Sequence, residues 1–96
     1  MDVLIAYDIA DTAGDGARRL RHVAEVCLTY GQRVQFSMFE CRVSPTRLQR
    51  LIGQLEDVID PTLDSVMIYR FPGTIARSRQ RLGTEVIHEL DEPWIL

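Results

Sequence analysis

Five apolar side chains in a row, Val3-Leu4-Ile5-Ala6-Tyr7, followed by Asp8 and Ile9, constrain this chain more than any other stretch. A run that is apolar at every position reads as a central β-strand covered on both sides. Successive side chains of a strand point to opposite faces. Leu4, Ala6 and Asp8 therefore share one face, and Val3, Ile5, Tyr7 and Ile9 the other. Asp8 extends an apolar face just where the strand should end. A carboxylate there needs a hydrogen-bond donor, an arginine or a cation as partner.

The rest of the chain is short. Its 96 residues make one domain with a modest core. No apolar run approaches the roughly 20 residues of a membrane span. The first strand begins directly, without the basic and apolar regions of a secretory signal, so the expected location is the cytoplasm, with no membrane partner. Cys27 and Cys41 sit inside apolar patterns and read as small buried hydrophobes, not as a disulfide or a metal clip. The net charge is −3, which argues mildly against nucleic acid as a partner. The distribution of charge argues the other way. All 11 basic residues are arginine, and they cluster at Arg18, Arg19 and Arg21 and at Arg77, Arg79 and Arg81. Arginine is the better fork for phosphate, and local basic patches on a mildly acidic protein suit nucleic-acid contact. A GC-rich genome would favour arginine equally.

Residues 10–16 form a glycine-containing loop, with Asp15 placed to cap a helix over about residues 16–30. Ala17, Leu20, Val23, Ala24, Cys27 and Leu28 make its core stripe, and Gly31 its C-cap. Residues 33–43 are a β stretch whose apolar phase switches from even to odd positions, marking a bulge, bend or reversal near Ser37. No turn dipeptide separates one bent strand from two short ones. Ser44-Pro45 opens a second helix with the stripe Leu48, Leu51, Ile52, Leu55, Val58 and Ile59, ended by Asp60-Pro61. Residues 64–71 form a strand, 75–82 an arginine-rich link with a short helical turn, and 83–90 a weak last strand before the apolar tail Trp94-Ile95-Leu96. This order predicts an α+β sandwich of the ferredoxin-like kind, an antiparallel sheet with two helices on one face. The strands look apolar on both faces, so a second copy is expected to bury the bare one in a homodimer.

Four pieces in order carry a resemblance over about residues 1–90: Tyr7-Asp8-Ile9; Arg18-Arg19-Leu20-Arg21; Gly31 through Glu40, containing Arg33-Val34-Gln35-Phe36-Ser37-Met38-Phe39; and Asp64 through Tyr69. The chain resembles the CRISPR-associated endoribonuclease family, the small universal adaptation protein that partners the CRISPR integrase. That resemblance implies a ferredoxin-like homodimer, with a core of about residues 1–82 and a C-terminal strand and tail, about 83–96, crossing to the other protomer. It also implies magnesium-dependent cleavage of RNA or DNA phosphodiesters through Asp8. A second implied role is structural, as a dimeric DNA scaffold bridging integrase dimers.

Within that resemblance Asp8 is the catalytic and metal-binding candidate. One Asp8 from each protomer could supply two carboxylates to a magnesium ion that keeps waters. Arg19 and Arg33 match positions for phosphate contact, with Arg18 beside them. Ser37 and Phe39 fall in the strand motif near the site, and Tyr7 would position backbone or base. Arg77 and Arg79 in the basic link could grip a DNA backbone without reading bases. An acidic and apolar tail of Glu85, Glu89, Asp91, Glu92 and Trp94 could dock a basic integrase.

Other residues point elsewhere. Asp11 and Asp15 read as capping or solvated acids before metal ligands, and Glu40 pairs with arginine as readily as it catalyses. His22 and His88 lack metal-ligand spacing. No phosphate-binding glycine loop is present.

Overall fold

The computed structural model describes residues 1–85. Its elements run β1 (Asp2–Asp8), α1 (Gly16–Tyr30), β2 (Gly31–Gln35), β3 (Met38–Arg42), α2 (Pro45–Val58), β4 (Ser65–Phe71) and the single turn α3 (Ile75–Ser78). The four strands form one sheet in the order β2-β3-β1-β4, with every pairing antiparallel. This is the ferredoxin-like arrangement expected of two βαβ halves.

The odd positions of β1 build the core. Val3, Ile5, Tyr7 and Ile9 pack with Phe39, Cys41 and Val43 from β3 and its end, with Leu20, Val23, Ala24 and Cys27 from α1, and with Leu48, Leu51 and Leu55 from α2. Both long helices thus cover one face. The even positions face the other way, and there this chain's own two long helices give no cover. Leu4 and Ala6 are only half-buried, and Met67 and Tyr69 of β4 are half-exposed. Among the described residues only α3 and the segment after it lie on this face. Asp2, at the start of β1, accepts bonds from Arg42 Nε (2.8 Å) and Nη2 (3.2 Å) and from the Ile75 backbone N–H (2.9 Å), which fastens α3 to the sheet. Arg79 then pairs with Glu40 on β3 through two nitrogens. The segment so held roofs a cleft of about 390 Å³ floored by Leu4, Val34 and Met38.

The α1 stripe is confirmed at Leu20, Val23, Ala24 and Cys27, whereas Ala17 is only half-buried and Leu28 is exposed. Asp15 occupies the N-cap position but makes no side-chain cap; its backbone N–H instead donates to Asp11 Oδ2. Gly16 is needed because a Cβ there would lie 1.8 Å from the Ala10 carbonyl. Gly31 ends α1 and starts β2 in the same step, with extended backbone, and a Cβ would lie 2.3 Å from the Glu40 carbonyl. In α2, Ser44 Oγ accepts from the Arg47 N–H, and Pro45 follows at the first turn, as the sequence predicts.

The 33–43 stretch is a hairpin of two strands. Its register slips between Arg33 and Gln35, and the chain reverses through Phe36 and Ser37. The short helical turn expected in the basic link is α3, residues 75–78. Residues 83–85 carry no strand, and the remainder of the expected last strand and the apolar tail lie outside the described residues.

Candidate active site

The C-terminal end of β1 is held on both sides. On one side, the Tyr7 backbone N–H donates to the Ser37 carbonyl (3.0 Å), hooking the hairpin turn onto the strand. On the other, Asp64 closes the loop that follows Asp8. Its carboxylate accepts from the backbone N–H groups of Ala10 (3.0 Å) and Asp60 (2.8 Å) and from Arg19 Nε (2.8 Å). Arg19 Nη2 also donates to the Ala10 carbonyl (3.1 Å). Burial pushes the Asp64 carboxyl up, but Arg19 and the two backbone donors outweigh it and hold the group below its ordinary value.

Between these attachments stands Asp8. Its side chain is exposed on the bare face and makes no hydrogen bond or ion pair among the described residues. It lies in register with Ser65 of β4, so the two side chains are neighbours on one face, with Cβ atoms roughly 5 Å apart by strand geometry. Tyr7 points the opposite way, into the core. Its ring stacks on Phe39 at 6.2 Å between centroids, and its hydroxyl donates to the Phe36 carbonyl (3.4 Å). Burial raises the Tyr7 phenol to about 12.

The structure sorts the predicted residues. Asp8 and Ser37 meet at this end of the sheet, with Tyr7 directly beneath. Phe39 is fully buried. Arg33 is also buried, lying over the Phe39 ring at 5.0 Å and donating from Nη1 to the Phe36 carbonyl (3.0 Å). Arg19 is engaged by Asp64, and Arg79 by Glu40. Arg18 and Arg77 are exposed and make no ion pair among the described residues. Arg77 and Arg79 sit at the Asp2 end of the bare face. Six residue steps of strand, about 20 Å, separate Asp2 from Asp8.

Two residues were given no role from the sequence, although Asp64 opens one of the pieces that carry the resemblance. Asp64 and Asp2 are the carboxylates with the most donors, yet their partners lie 40 to 73 positions away or in a backbone amide. Their visible signal was only a carboxylate at the mouth of an apolar strand.

Among the described residues no group of three or more His, Cys, Asp or Glu side chains could hold a metal ion. Magnesium commonly takes one or two carboxylates and completes its shell with waters and substrate phosphate. An exposed, unpaired Asp8 beside a hydroxyl fits that kind of site and does not fit a closed cage made by one chain. No described helix is long and apolar enough to cross a membrane.

Fold and site together define a class: a small ferredoxin-like α+β domain with a free carboxylate at the end of its central strand. The model of the family described as CRISPR associated protein Cas2 matches residues 1–78. A CRISPR-associated endonuclease Cas2 from Halalkalibacterium halodurans is 41% identical over 95 residues, covering 99% of each chain. A CRISPR-associated endoribonuclease Cas2 from Rhodospirillum rubrum is 42% identical over 94 residues, covering 98% of this chain and 99% of its own. The crystal structure of Streptococcus pyogenes Cas2 at pH 6.5 matches with a TM-score of 0.79 and 41% identity, over 86% of this chain and all of that one. The chain belongs to the CRISPR-associated Cas2 family.

Proposed function

We propose that this chain is a magnesium-dependent endonuclease of CRISPR adaptation, cleaving phosphodiesters of RNA or DNA through Asp8 and acting as a homodimer with the CRISPR integrase. The observation that carries this reading is the exposed Asp8 carboxylate, which has no partner among the described residues at the end of the central strand. The printed names of the relatives, endonuclease and endoribonuclease, support the same reaction class.

Asp8 would hold the ion, with the Ser65 hydroxyl beside it and a second Asp8 from the partner copy. When bound, magnesium supplies a water nucleophile of lowered pKa and neutralises phosphoryl oxygens. This chain's own part is to fix Asp8 on a strand tied at both sides, by Ser37 and by Asp64. Arg18 and Arg77 offer free guanidinium groups to the phosphate backbone. Arg19 and Arg79, already paired with carboxylates, act first as fasteners. The half-exposed Met67 and Tyr69 on the bare face, together with exposed Leu82, support the homodimer.

The DNA-scaffold reading is favoured by one specific observation: among the described residues no group of three or more metal-ligating side chains gathers around Asp8, which makes a sparse metal site. The two readings part on Asp8→Asn. Labelled RNA and double-stranded DNA are incubated with and without magnesium, using wild type and variant shown to be of equal oligomeric state. Magnesium-dependent cleavage lost in the variant supports the nuclease. Equal cleavage by both, or none by wild type, leaves the scaffold, tested next by spacer integration with the integrase.

A further inference from the structure

Arg33 is the one buried cation in the described core, at 2% exposure. It belongs to β2 and pairs in register with Phe39, which in turn pairs with Ile5, so its side chain points to the face that the helices cover. A guanidinium in that place does not face a nucleic acid lying on the protein's surface. Its hydrogen bond and its ring contact are local to the hairpin, and its charge also acts on Tyr7 and Cys27. Nη1 donates to the Phe36 carbonyl at 3.0 Å, the same carbonyl that the Tyr7 hydroxyl reaches at 3.4 Å, and the planar group lies over the Phe39 ring at 5.0 Å. Nε and Nη2 are buried and find no hydrogen-bond acceptor among the described residues. Two buried donors without acceptors destabilise a fold. A residue chosen for stability alone would be an apolar one of the same volume.

We propose that Arg33 is a positioning residue that sets the Phe36–Ser37 turn against the end of β1, and through it the setting of Asp8, without touching nucleic acid. The connection is short. Arg33 and Tyr7 converge on the Phe36 carbonyl, and the next residue, Ser37, accepts the Tyr7 backbone N–H at 3.0 Å, one position before Asp8. Loss of the Arg33 donor weakens the hold on the Phe36 carbonyl, and a looser turn loosens the backbone bond by which Ser37 holds this side of β1. The link to catalysis rests on the nuclease reading; the link to the turn does not.

The test uses the full chain as wild type, Arg33→Met and Arg33→Lys, each checked for folding by circular dichroism. Arg33→Met keeps much of the volume without the charge, and Arg33→Lys keeps the charge without the fork. The first measurement is the salt dependence of binding to a short double-stranded DNA. A phosphate contact contributes roughly 0.9 to the slope of log K against log salt, so its loss is visible. The second is hydrogen exchange at the Tyr7 amide. The expected result is an unchanged slope in both variants and Tyr7 exchange faster by about tenfold in Arg33→Met. A slope reduced by roughly 0.9, or Tyr7 protection unchanged in both variants, overturns the proposal. If wild type neither cleaves nor binds DNA, the nuclease reading fails, and Tyr7 exchange alone decides for or against Arg33.

Discussion

Two carboxylates stand on the same face of β1, at its two ends, and the fold treats them oppositely. Asp2 is buried and accepts three hydrogen bonds, two from Arg42 and one from the Ile75 amide. The Arg42 guanidinium beside it, with that amide, holds its carboxyl down to about 2. Asp8 is exposed, and among the described residues its carboxylate has no bond at all. A carboxylate that is met by donors on every side is a structural part. One held on a rigid strand and left unmet is free to take a cation or to orient a reacting group. The difference puts fastening at one end of the strand and leaves an unmet carboxylate at the other.

The comparison breaks if the two aspartates exchange roles under mutation. Asp8→Asn is expected to lower magnesium-dependent cleavage by on the order of 100-fold or more, the size of losing a metal-held charge. Its melting temperature should stay within about a degree of wild type, because no contact is removed. The melting midpoint by calorimetry and the single-turnover rate together check this. A large fall in stability would mean that Asp8 is fastened by partners after all. The next largest effect belongs to Asp64. Asp64→Ala strands Arg19 and the Ala10 and Asp60 amides, and a drop of roughly 10 °C in melting temperature is expected for a domain of this size.

These contacts show where sequence reasoning reaches and where it stops. Local signals carried far. The Ser44-Pro45 cap and the Leu48, Leu51, Leu55 spacing specify α2 because each acts within a turn or two of helix. The pleat of β1 sorted its residues into two faces, but a run apolar at every position did not say which face the helices cover. The hairpin was legible only as a change of phase. Its turn has no glycine-bearing pair to announce it, and its bulge at Arg33 and Gln35 hides the register. Charge misled in both directions at the site. Arg33 and Arg19 carry the residue type of phosphate ligands, yet one lies in the core and the other is fastened to Asp64. Their partners come from the far side of a turn or from 45 positions away, which no spacing rule reveals. Asp8 was legible because its signal is local, a charge placed at the end of an apolar strand.

A smaller effect sharpens the same comparison through pH. Asp2 has a folded value of about 2 against an ordinary 3.8. Its depressed value means that the charged form is favoured by folding. The stabilisation is therefore fully present above the unfolded value and is lost as pH falls from about 4 to about 2. Asp2→Asn should melt a few degrees below wild type at pH 7. The gap should close across that window and vanish below pH 2, while cleavage at neutral pH persists. A gap independent of pH would mean that shape, not charge, makes Asp2 matter.

The smallest expected effect separates the two arginines of the link. Arg77 is exposed and unpaired among the described residues, whereas Arg79 is spanned by Glu40. If both contact DNA phosphates equally, each replacement by alanine lowers the salt slope of DNA binding by roughly 0.9. The structure favours an unequal result. Arg77→Ala should lower the slope by about that amount, because a free guanidinium releases one counterion equivalent when it meets a phosphate. Arg79→Ala should leave the slope nearly unchanged, because its charge is already balanced by Glu40, and should instead raise amide exchange in residues 79–85. Equal losses from both would mean that the Glu40 pair opens when DNA binds. The segment over the bare face would then be a moving part, set by competition between a carboxylate and a phosphate for one arginine.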